Sequence, residues 1–497
     1  FVISLLPRGL IMADSKFQKK LLALVADYTQ PCSPAESAER LRHLVRSHVL
    51  RFIDMKHRPE RFFLAHRLLA TQMLGGFGIR FTVQYNLFAG SIVGLGDAEQ
   101  VALLDGMQER GELGCFALTE VNAGVMSGLI VETTATWEGG QFRIHTPYPG
   151  AAKNWISQGT VADWVVVIAR LVVGGVDHGP HPFLLRMRSA DQLAAGIHVE
   201  DMGRKTVAND LDNARLHFVD CLAPRDALLR RFACVTEDGS YKTTHPGVRM
   251  KIEVIGQRLL TGRLVIAEAA VVASRVLLLK TQAYAKAKLC HGLDGKLPLA
   301  ELPQLKLLFD SASAALGRVE AFCASVEAQL SECLRQDGIP DEELVQAICI
   351  AKVRCIEVAS SVLRGLEEEV GSYALMSGSG FEHKDMLLCC RFAEGDSRVL
   401  KMKIARDRIR KIRHDGVFSE VWKGVLRGGA SQRAESMLAL KLARAMDDAR
   451  RCGAVAQVWN EQWKTVYALA DIICDRYVDS VNAMSCDGFP ESIVPRL

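Results

Sequence analysis

Residues 114–159, GCFALTEVNAGVMSGLIVETTATWEGGQFRIHTPYPGAAKNWISQG, decide the fold because their pattern differs from the sequence on both sides. Helical apolar periodicity precedes and follows them, whereas this stretch has short apolar runs broken by Gly, Asn and Pro. β-prone residues flank Glu138-Gly139-Gly140, which predicts a hairpin turn. A further strand is predicted over 115–118. We therefore predict a β-domain between two helical regions.

Two predicted strand ends in this stretch carry polar side chains. The first ends in Thr119-Glu120, and the second, over 153–157, carries the Trp155 ring and the Ser157 hydroxyl. Together they could form a platform for a flat ring with polar edges. A small β-domain with ordinary turn residues explains the same spacing, so the spacing alone leaves both interpretations open.

Four ordered segments give the stretch a resemblance to a known superfamily. They are Cys-Phe-Ala-Leu-Thr-Glu at 115–120, Glu-Thr-Thr-Ala-Thr at 132–136, Ile-His-Thr-Pro at 144–147 and Lys-x-Trp-Ile at 153–156. They resemble the acyl-CoA oxidase and acyl-CoA dehydrogenase superfamily, and the oxidases more closely. The resemblance implies an α+β fold with an N-terminal helical domain, a middle β-barrel-like domain and a C-terminal helical bundle. It also implies FAD as cofactor and a fatty acyl-CoA as substrate.

The helical pattern on either side gives a predicted division of the chain into four parts. These are a helical domain over 1–112, a β-domain or flavin and substrate platform over 113–240, a bundle with the catalytic Glu over 241–413, and additional helices over 414–497. Long apolar stripes predict bundle helices over 254–288, 302–334 and 341–371. Gly75-Gly76-Phe77-Gly78 interrupts the first helical region and predicts a loop.

Composition limits the class of protein. A chain of 497 residues has room for roughly three domains, or two with one large, and a net charge of +4 gives no indication of nucleic-acid binding. The 14 cysteines form no Cys-x-x-Cys pair, which argues against a zinc site or a disulfide framework and indicates reduced thiols. No transmembrane segment is predicted, because the apolar runs at 163–176 and 264–279 are short and carry charges.

The two ends of the chain carry addressing signals of low specificity. Residues 1–11 fit either a targeting remnant or a read-through before Met12. The final Pro-Arg-Leu, 495–497, is a loose variant of the Ser-Lys-Leu peroxisomal signal. We therefore predict a peroxisomal location, with mitochondria as the alternative.

Dehydrogenation of an acyl thioester needs a base for the α-proton and an acceptor for the β-hydride. The resemblance implies that Glu394, which follows an apolar run and precedes Gly395, is the base. By itself Glu394 would be interpreted as a carboxylate at a helix start, and Asp396 as the N-cap of the next helix. Basic residues over 398–413 are interpreted as a solvated face, with CoA phosphates or an acidic partner as the alternative.

The resemblance also assigns the cofactor contacts. It places Leu118 and Thr119 at one edge of the flavin ring, and Trp155, Ile156 and Ser157 at its other side. Gly378 and Gly380 stand where the family has a Gly-rich loop near the cofactor phosphates. His178 and His181 flank a turn, and we predict that they are solvated; no metal site is predicted.

Two departures from the family pattern leave two classes of function open. Gly124-Val125 replaces a family Gly-Ser, and Leu-Cys-His-Gly at 289–292 replaces an Arg-Gln-Phe-Gly that reaches a neighbouring subunit's cofactor. The first class is an acyl-CoA oxidase (alternatively a dehydrogenase), a homo-oligomer of two or four chains, that is reoxidised by O2 with release of H2O2. The second is a catalytically impaired relative that serves as a structural or regulatory subunit of a larger assembly.

Overall fold

The computed structural model describes residues 15–72, 75–124, 130–189, 192–244, 252–292 and 295–488. The chain forms two compact units. The first contains Phe1–Val265, Glu327–Pro340 and Leu375–Met386, and the second contains Ile266–Val326, Asp341–Ala374 and Leu387–Leu497. The predicted helical domain and β-domain thus both belong to the first unit, and the four-part division stays a prediction.

Helices begin the first unit: α1 (Ser15–Val25), α2 (Pro34–Arg46), α3 (Asp54–His57), α4 (Pro59–Thr71), α5 (Gly75–Thr82), a π-helical turn (Val83–Ala89), α6 (Gly90–Leu95) and α7 (Ala98–Arg110). Helix α2 begins where the sequence predicts, because Ser33 and Glu36 form a capping box. The Glu36 amide donates to Ser33 Oγ at 3.2 Å, and the Ser33 amide donates to Glu36 Oε2 at 2.7 Å.

The loop predicted over 75–78 is wrong, since these residues begin α5. The Gly76 amide donates to Asp210 Oδ1 at 3.2 Å. A Cβ atom at Gly76 would lie 2.3 Å from the same oxygen. Glycine is therefore needed here for close approach of a carboxylate to the first helical turn, and not for a change of chain direction.

The β-domain occupies the rest of the first unit. Its strands are β1 (Gly114–Ala117), β2 (Thr134–Glu138), β3 (Gln141–His145), β4 (Lys153–Ser157), β5 (Trp164–Val173), β6 (Val176–Arg186), β7 (Arg188–Ser189), β8 (Gln192–Leu193), β9 (Ile197–Asp201), β10 (Asn213–Phe218), β11 (Cys221–Pro224), β12 (Ala233–Val235) and β13 (Tyr241–Thr243). A six-stranded sheet has the order β1-β5-β2-β3-β11, with β6 on β5, and a three-stranded sheet has the order β4-β10-β9. The predicted hairpin is confirmed: Glu138 faces Gln141 across the turn.

The two sheets share one apolar core. Alternate residues of β5, among them Val165, Val167 and Ala169, are fully buried in it, and so are Leu216 and Phe218 of β10. The strand alternation of period two thus places one face of each sheet inward.

The prediction of a solvated His181 is wrong. Its side chain is fully buried, and Nε2 lies 3.1 Å from the Tyr241 hydroxyl. The Tyr241 ring also stacks on His178, which is half-buried, at a centroid distance of 3.8 Å. The strand pair β12–β13 brings this tyrosine over the turn, a contact that sequence spacing does not show.

Helices form most of the remaining chain: α8 (Ile252–Ile255), α9 (Gln257–Ala287), α10 (Pro303–Arg335), α11 (Glu342–Val370), α12 (Met386–Phe392), α13 (Ser397–Asp415), α14 (Val417–Glu420), a π-helical turn (Val421–Leu426), α15 (Ala430–Arg451), α16 (Val455–Glu461) and α17 (Trp463–Gly488). A hairpin of β14 (Leu289–Gly292) and β15 (Gly295–Pro298) separates α9 from α10. The three long bundle helices are confirmed.

The interpretation of 398–413 as a solvated face is wrong for two of its cations. Lys401 binds Glu357 and Asp471, each at 2.6 Å. Arg408 binds Glu435 at 2.6 Å and also Glu420. These side chains hold α13 to its neighbours in the second unit, because their charges are largely removed from water and paired.

The part of the chain that the structure describes has neither a candidate membrane-spanning helix nor a candidate metal-binding cluster. None of its helices combines the length and the hydropathy needed to cross a membrane. None of its groups of His, Cys, Asp and Glu side chains is arranged to hold a metal ion.

Candidate functional site

The strand ends that the sequence singles out are neighbours in the first unit. Glu120 and Lys153 form an isolated antiparallel bridge. The Asn154 amide donates to the Thr119 carbonyl at 2.8 Å. The structure therefore brings 118–120 and 153–157 side by side, which the platform requires.

A fully buried ion pair joins these two segments. Lys153 Nζ lies 2.7 Å from Glu120 Oε1, and neither side chain is exposed to solvent. Lys153 also donates to the Leu118 carbonyl at 3.3 Å. The Glu120 carboxylate accepts the amides of Thr133 at 3.0 Å and Glu132 at 2.8 Å. Burial lowers the pKa of Lys153 to about 8, and the Glu120 charge opposes that shift.

Sequence reasoning missed this pair, although both residues lie in motifs that it selected. The signal was available: Glu120 follows a run of apolar residues, and Lys153 follows two alanines and begins the next strand. A charge in such a position is seldom buried without a partner. The partner itself depends on strand register, which the spacing does not reveal.

Buried Gln158 holds the other end of β4. Its Nε2 donates to the Gly114 carbonyl at 2.7 Å and to Gln84 Oε1 at 3.1 Å. Gln158 Oε1 accepts from Arg80 Nη1 at 3.4 Å, and Arg80 pairs with Asp212 at 2.9 Å. Strand β4 is thus held at both ends by buried polar side chains.

Between these two anchors the Trp155 side chain is 57% exposed, and its backbone has φ +59°. A bulky residue in the left-handed region is strained, and such strain persists only where surrounding contacts impose it. Thr119 is also exposed, whereas Leu118 and Ile156 are buried. Ser157 is half-buried and its Oγ accepts from Asn213 Nδ2 at 3.2 Å. Trp155 and Thr119 are therefore accessible from solvent, whereas Leu118 and Ile156 are not.

The glycine segment around 378–380 binds an anion of its own. The Gly378 amide donates to Glu382 Oε1 at 2.8 Å, and the Gly380 amide donates to Glu382 Oε2 at 2.7 Å. Burial opposes ionisation of Glu382, but hydrogen bonds from its own backbone and from both glycines outweigh it, so its pKa lies below the ordinary value. In the structure these amides donate to a carboxylate, and their contact with a cofactor phosphate stays a prediction.

Glu394 lies in the second unit, in the turn between α12 and α13. It is half-buried with φ +57°. Its neighbour Ala393 packs on an apolar cluster that contains Ile266 and Ile356. Burial in these surroundings raises the pKa of the nearby Cys390 thiol to about 12. A carboxylate in this turn is therefore next to a water-poor environment.

Asp396, the second carboxylate near this turn, has the helix-capping role that the sequence predicts. Asp396 Oδ1 accepts the Arg398 amide at 2.7 Å, and Oδ2 pairs with Arg398 Nη2 at 2.8 Å. Hydrogen bonds and charge from Arg398 overcome the opposing effect of burial and hold the pKa of Asp396 below its ordinary value. Asp396 is thus committed to the start of α13.

The two departures from the family pattern fall in different places. Val125, where the family has a serine, lies outside the described residues. The segment 289–292 forms strand β14, paired with β15 in a short hairpin. Leu289, at the start of that hairpin, is 57% exposed.

Comparison with known proteins points to one group. No family model matches the chain. Peroxisomal acyl-coenzyme A oxidase 2 of Arabidopsis thaliana is 34% identical over 226 residues, which cover 43% of this chain and 32% of that protein. An acyl-coenzyme A oxidase of Debaryomyces hansenii is 28% identical over 363 residues, covering 67% of this chain and 51% of the relative. The chain thus spans about a third to a half of the length of these relatives.

Solved structures agree on the fold. Acyl-CoA oxidase 1 of Arabidopsis thaliana superposes with a TM-score of 0.75 at 20% identity, covering 95% of this chain and 78% of that one. Acyl-CoA oxidase-2 of Caenorhabditis elegans, bound with FAD, ascaroside-CoA and ATP, has a TM-score of 0.75 at 17% identity, with 97% and 80% covered. The chain therefore has the fold of the acyl-CoA oxidase and acyl-CoA dehydrogenase superfamily, and its relatives in sequence are acyl-CoA oxidases.

Proposed function

We propose that this chain is an FAD-dependent acyl-CoA oxidase that converts a fatty acyl-CoA to the trans-2-enoyl-CoA. Similarity to oxidases in sequence and in fold supports this assignment. The observation that carries it is the platform of Thr119 and Trp155, two exposed side chains on strand ends that buried polar contacts hold in place. A strained, exposed tryptophan supported in this way is typical of a binding site.

The platform residues fit a flavin ring. The Trp155 ring offers an apolar face to a planar heterocycle, and the hydroxyls of Thr119 and Ser157 can hydrogen-bond its polar edge. The bound FAD of a structural neighbour is consistent with this assignment. FAD, when bound, supplies the acceptor for the β-hydride and returns the two electrons to O2, which yields H2O2.

Glu394 has the role of base in this proposal. Its neighbour Ala393 packs on an apolar cluster, which limits the access of water to this turn, as removal of an α-proton by a positioned carboxylate requires. Its left-handed backbone holds the side chain in one defined direction within the turn. Glu394 takes the α-proton, and Asp396 remains at the helix start.

The acyl-CoA substrate, a homo-oligomeric assembly and a peroxisomal location are parts of the same proposal. The substrate and the location are supported by relatives named peroxisomal acyl-CoA oxidases. The glycine amides of 378 and 380 reach a cofactor phosphate only after Glu382 leaves them, so we assign them no catalytic step.

A second candidate function is a catalytically impaired subunit of a larger assembly. Two observations favour it: the hairpin at 289–292 replaces the family arginine segment, and Glu382 occupies the glycine amides. Either change removes a cofactor contact that the family pattern would supply.

Expression with excess riboflavin, followed by an absorbance spectrum, separates the two candidates. The oxidase assignment predicts a yellow protein with one flavin per chain. It also predicts peroxide from acyl-CoA in air without an added acceptor. A colourless protein under these conditions would favour the subunit. Turnover that requires electron-transfer flavoprotein and releases no peroxide would instead indicate a dehydrogenase.

A further inference from the structure

A buried lysine of α11 closes the turn that carries Glu394. The Lys352 side chain is fully buried. Its Nζ donates to the Arg391 carbonyl at 2.8 Å, to the Gly395 carbonyl at 2.5 Å and to Ser397 Oγ at 3.4 Å. The acceptors precede and follow Glu394 in the chain, so one ammonium group ties both sides of its turn to the same helix.

The turn needs such support because its backbone is strained. Glu394 has φ +57° and Gly395 has φ +97°. A non-glycine residue leaves the left-handed region readily unless neighbouring contacts hold it there. The Arg391 carbonyl lies in the last turn of α12, where carbonyl groups lack helical partners and a cation is favourable. The Lys352 ammonium group therefore donates hydrogen bonds both to a carbonyl at the end of α12 and to the Gly395 carbonyl.

The charged groups described at the turn have separate tasks. Asp396 caps α13 and pairs with Arg398, which is itself exposed. Lys401, on the following helix, is held by Glu357 and Asp471. Lys352 contacts the backbone on both sides of Glu394, and the Ser397 hydroxyl also donates to the Arg391 carbonyl, at 3.3 Å.

We propose that Lys352 is a positioning residue for Glu394, fixing the left-handed turn so that the carboxylate meets the α-proton. The proposal rests on the function assigned above, in which Glu394 is the base. Lys352 itself touches neither substrate nor cofactor in this role. It acts on the rate of proton removal through the backbone, and its removal is expected to lower kcat far more than it raises KM.

The test uses the flavin-loaded full chain and anaerobic reduction by hexadecanoyl-CoA, unlabelled and dideuterated at the α-carbon. Lys352→Met is expected to slow reduction at saturating substrate by about 10- to 100-fold, because small misplacement of a reacting group has effects of this size. Flavin content and KM are expected to stay near wild type. The isotope effect is expected to persist or grow, since proton removal becomes the slower step.

Lys401→Met is the matched control, because it removes a half-buried, ion-paired lysine from the same bundle without touching the Glu394 turn. It is expected to reduce the flavin at nearly the wild-type rate. Lys352→Arg, which keeps charge and donors, is expected to recover part of the rate. In a Glu394→Gln background, Lys352→Met is expected to cause no further loss, because the base on which it acts is gone.

The outcomes distinguish this inference from the function beneath it. Wild-type rates in Glu394→Gln would overturn the base assignment and the inference with it. A slow Glu394→Gln beside a fast Lys352→Met would overturn only the role of Lys352. Failure of both Lys352→Met and Lys352→Arg to fold with flavin would also overturn it, because the side chain would then serve the whole bundle.

Discussion

The substitution Lys153→Met breaks the buried ion pair between Lys153 and Glu120 beneath the platform. The expected loss in free energy of unfolding follows from the contacts that Glu120 keeps. Glu120 keeps two amide donors, from Glu132 and Thr133, but loses its counterion at 2.7 Å in a site without solvent. Removing one member of a buried pair typically costs about 3 to 5 kcal/mol. The two remaining donors place the expected loss near the lower end, about 3 kcal/mol.

Hydrogen exchange of peptides spanning 114–120 and 153–158 measures that loss where it occurs. About 3 kcal/mol corresponds to roughly a 100-fold increase in the opening constant of these strands. Affinity for FAD, measured by titration, is expected to fall in parallel, because both platform segments lose their common anchor.

Two further variants test the reasoning. Arg51→Met removes an exposed pair with Asp105 in the same unit, where about 0 to 1 kcal/mol is expected. Combining Lys153→Met with Glu120→Gln removes the stranded charge and is expected to recover part of the stability. Exchange in Lys153→Met that matches Arg51→Met would refute the claim that this pair anchors the platform.

Three other predictions address the base, the platform and the response to acid. Glu394→Gln is expected to slow anaerobic flavin reduction by about 10²- to 10⁴-fold with flavin content unchanged. Asp396→Asn, which can still accept the Arg398 amide at the helix start, is expected to change the reduction rate little. Equal rates of the two variants in stopped flow would contradict the assignment of Glu394 as base. Trp155→Gly is expected to weaken FAD binding without lowering the melting temperature. Stability is expected to be kept because glycine adopts φ +59° without strain and the tryptophan side chain is 57% exposed. Unchanged FAD affinity would show that Trp155 is not part of the site. Burial lowers the pKa of His181 from 6.5 to about 4. Between these two pH values the unfolded chain binds a proton at His181 and the folded chain does not. As the pH falls through this window, urea unfolding of the wild type is therefore expected to lose about 1.4 kcal/mol per pH unit more than that of His181→Gln. Equal slopes in both proteins would contradict the burial argument.

Sequence reasoning predicts well what local signals determine. The capping box at Ser33, the hairpin at 138–141 and the long bundle helices all depend on neighbouring residues and on apolar period, and all three are confirmed. The order of helical, β and helical regions follows from the same periodicity, and the structural neighbours share it.

Contacts between distant segments were not predictable in this way. Gly76 is glycine because Asp210 approaches it closely, and His181 is buried where Tyr241 contacts it. The partners are more than fifty residues apart in the sequence, so neither spacing nor propensity links them. The same reason hid the ion pair of Glu120 with Lys153, although resemblance had selected both motifs.

Backbone strain connects the two groups of residues that resemblance singles out. Trp155 and Glu394 both have positive φ, and in each case buried polar side chains hold the backbone on both sides of the residue. Packing does not account for this at Trp155, since more than half of its side chain is exposed and glycine would remove the strain. The fold therefore contains two strained positions whose supports are among its most deeply buried groups. Support of that kind for an exposed ring and a half-buried carboxylate is what the proposed roles of Trp155 in flavin binding and of Glu394 in proton removal require.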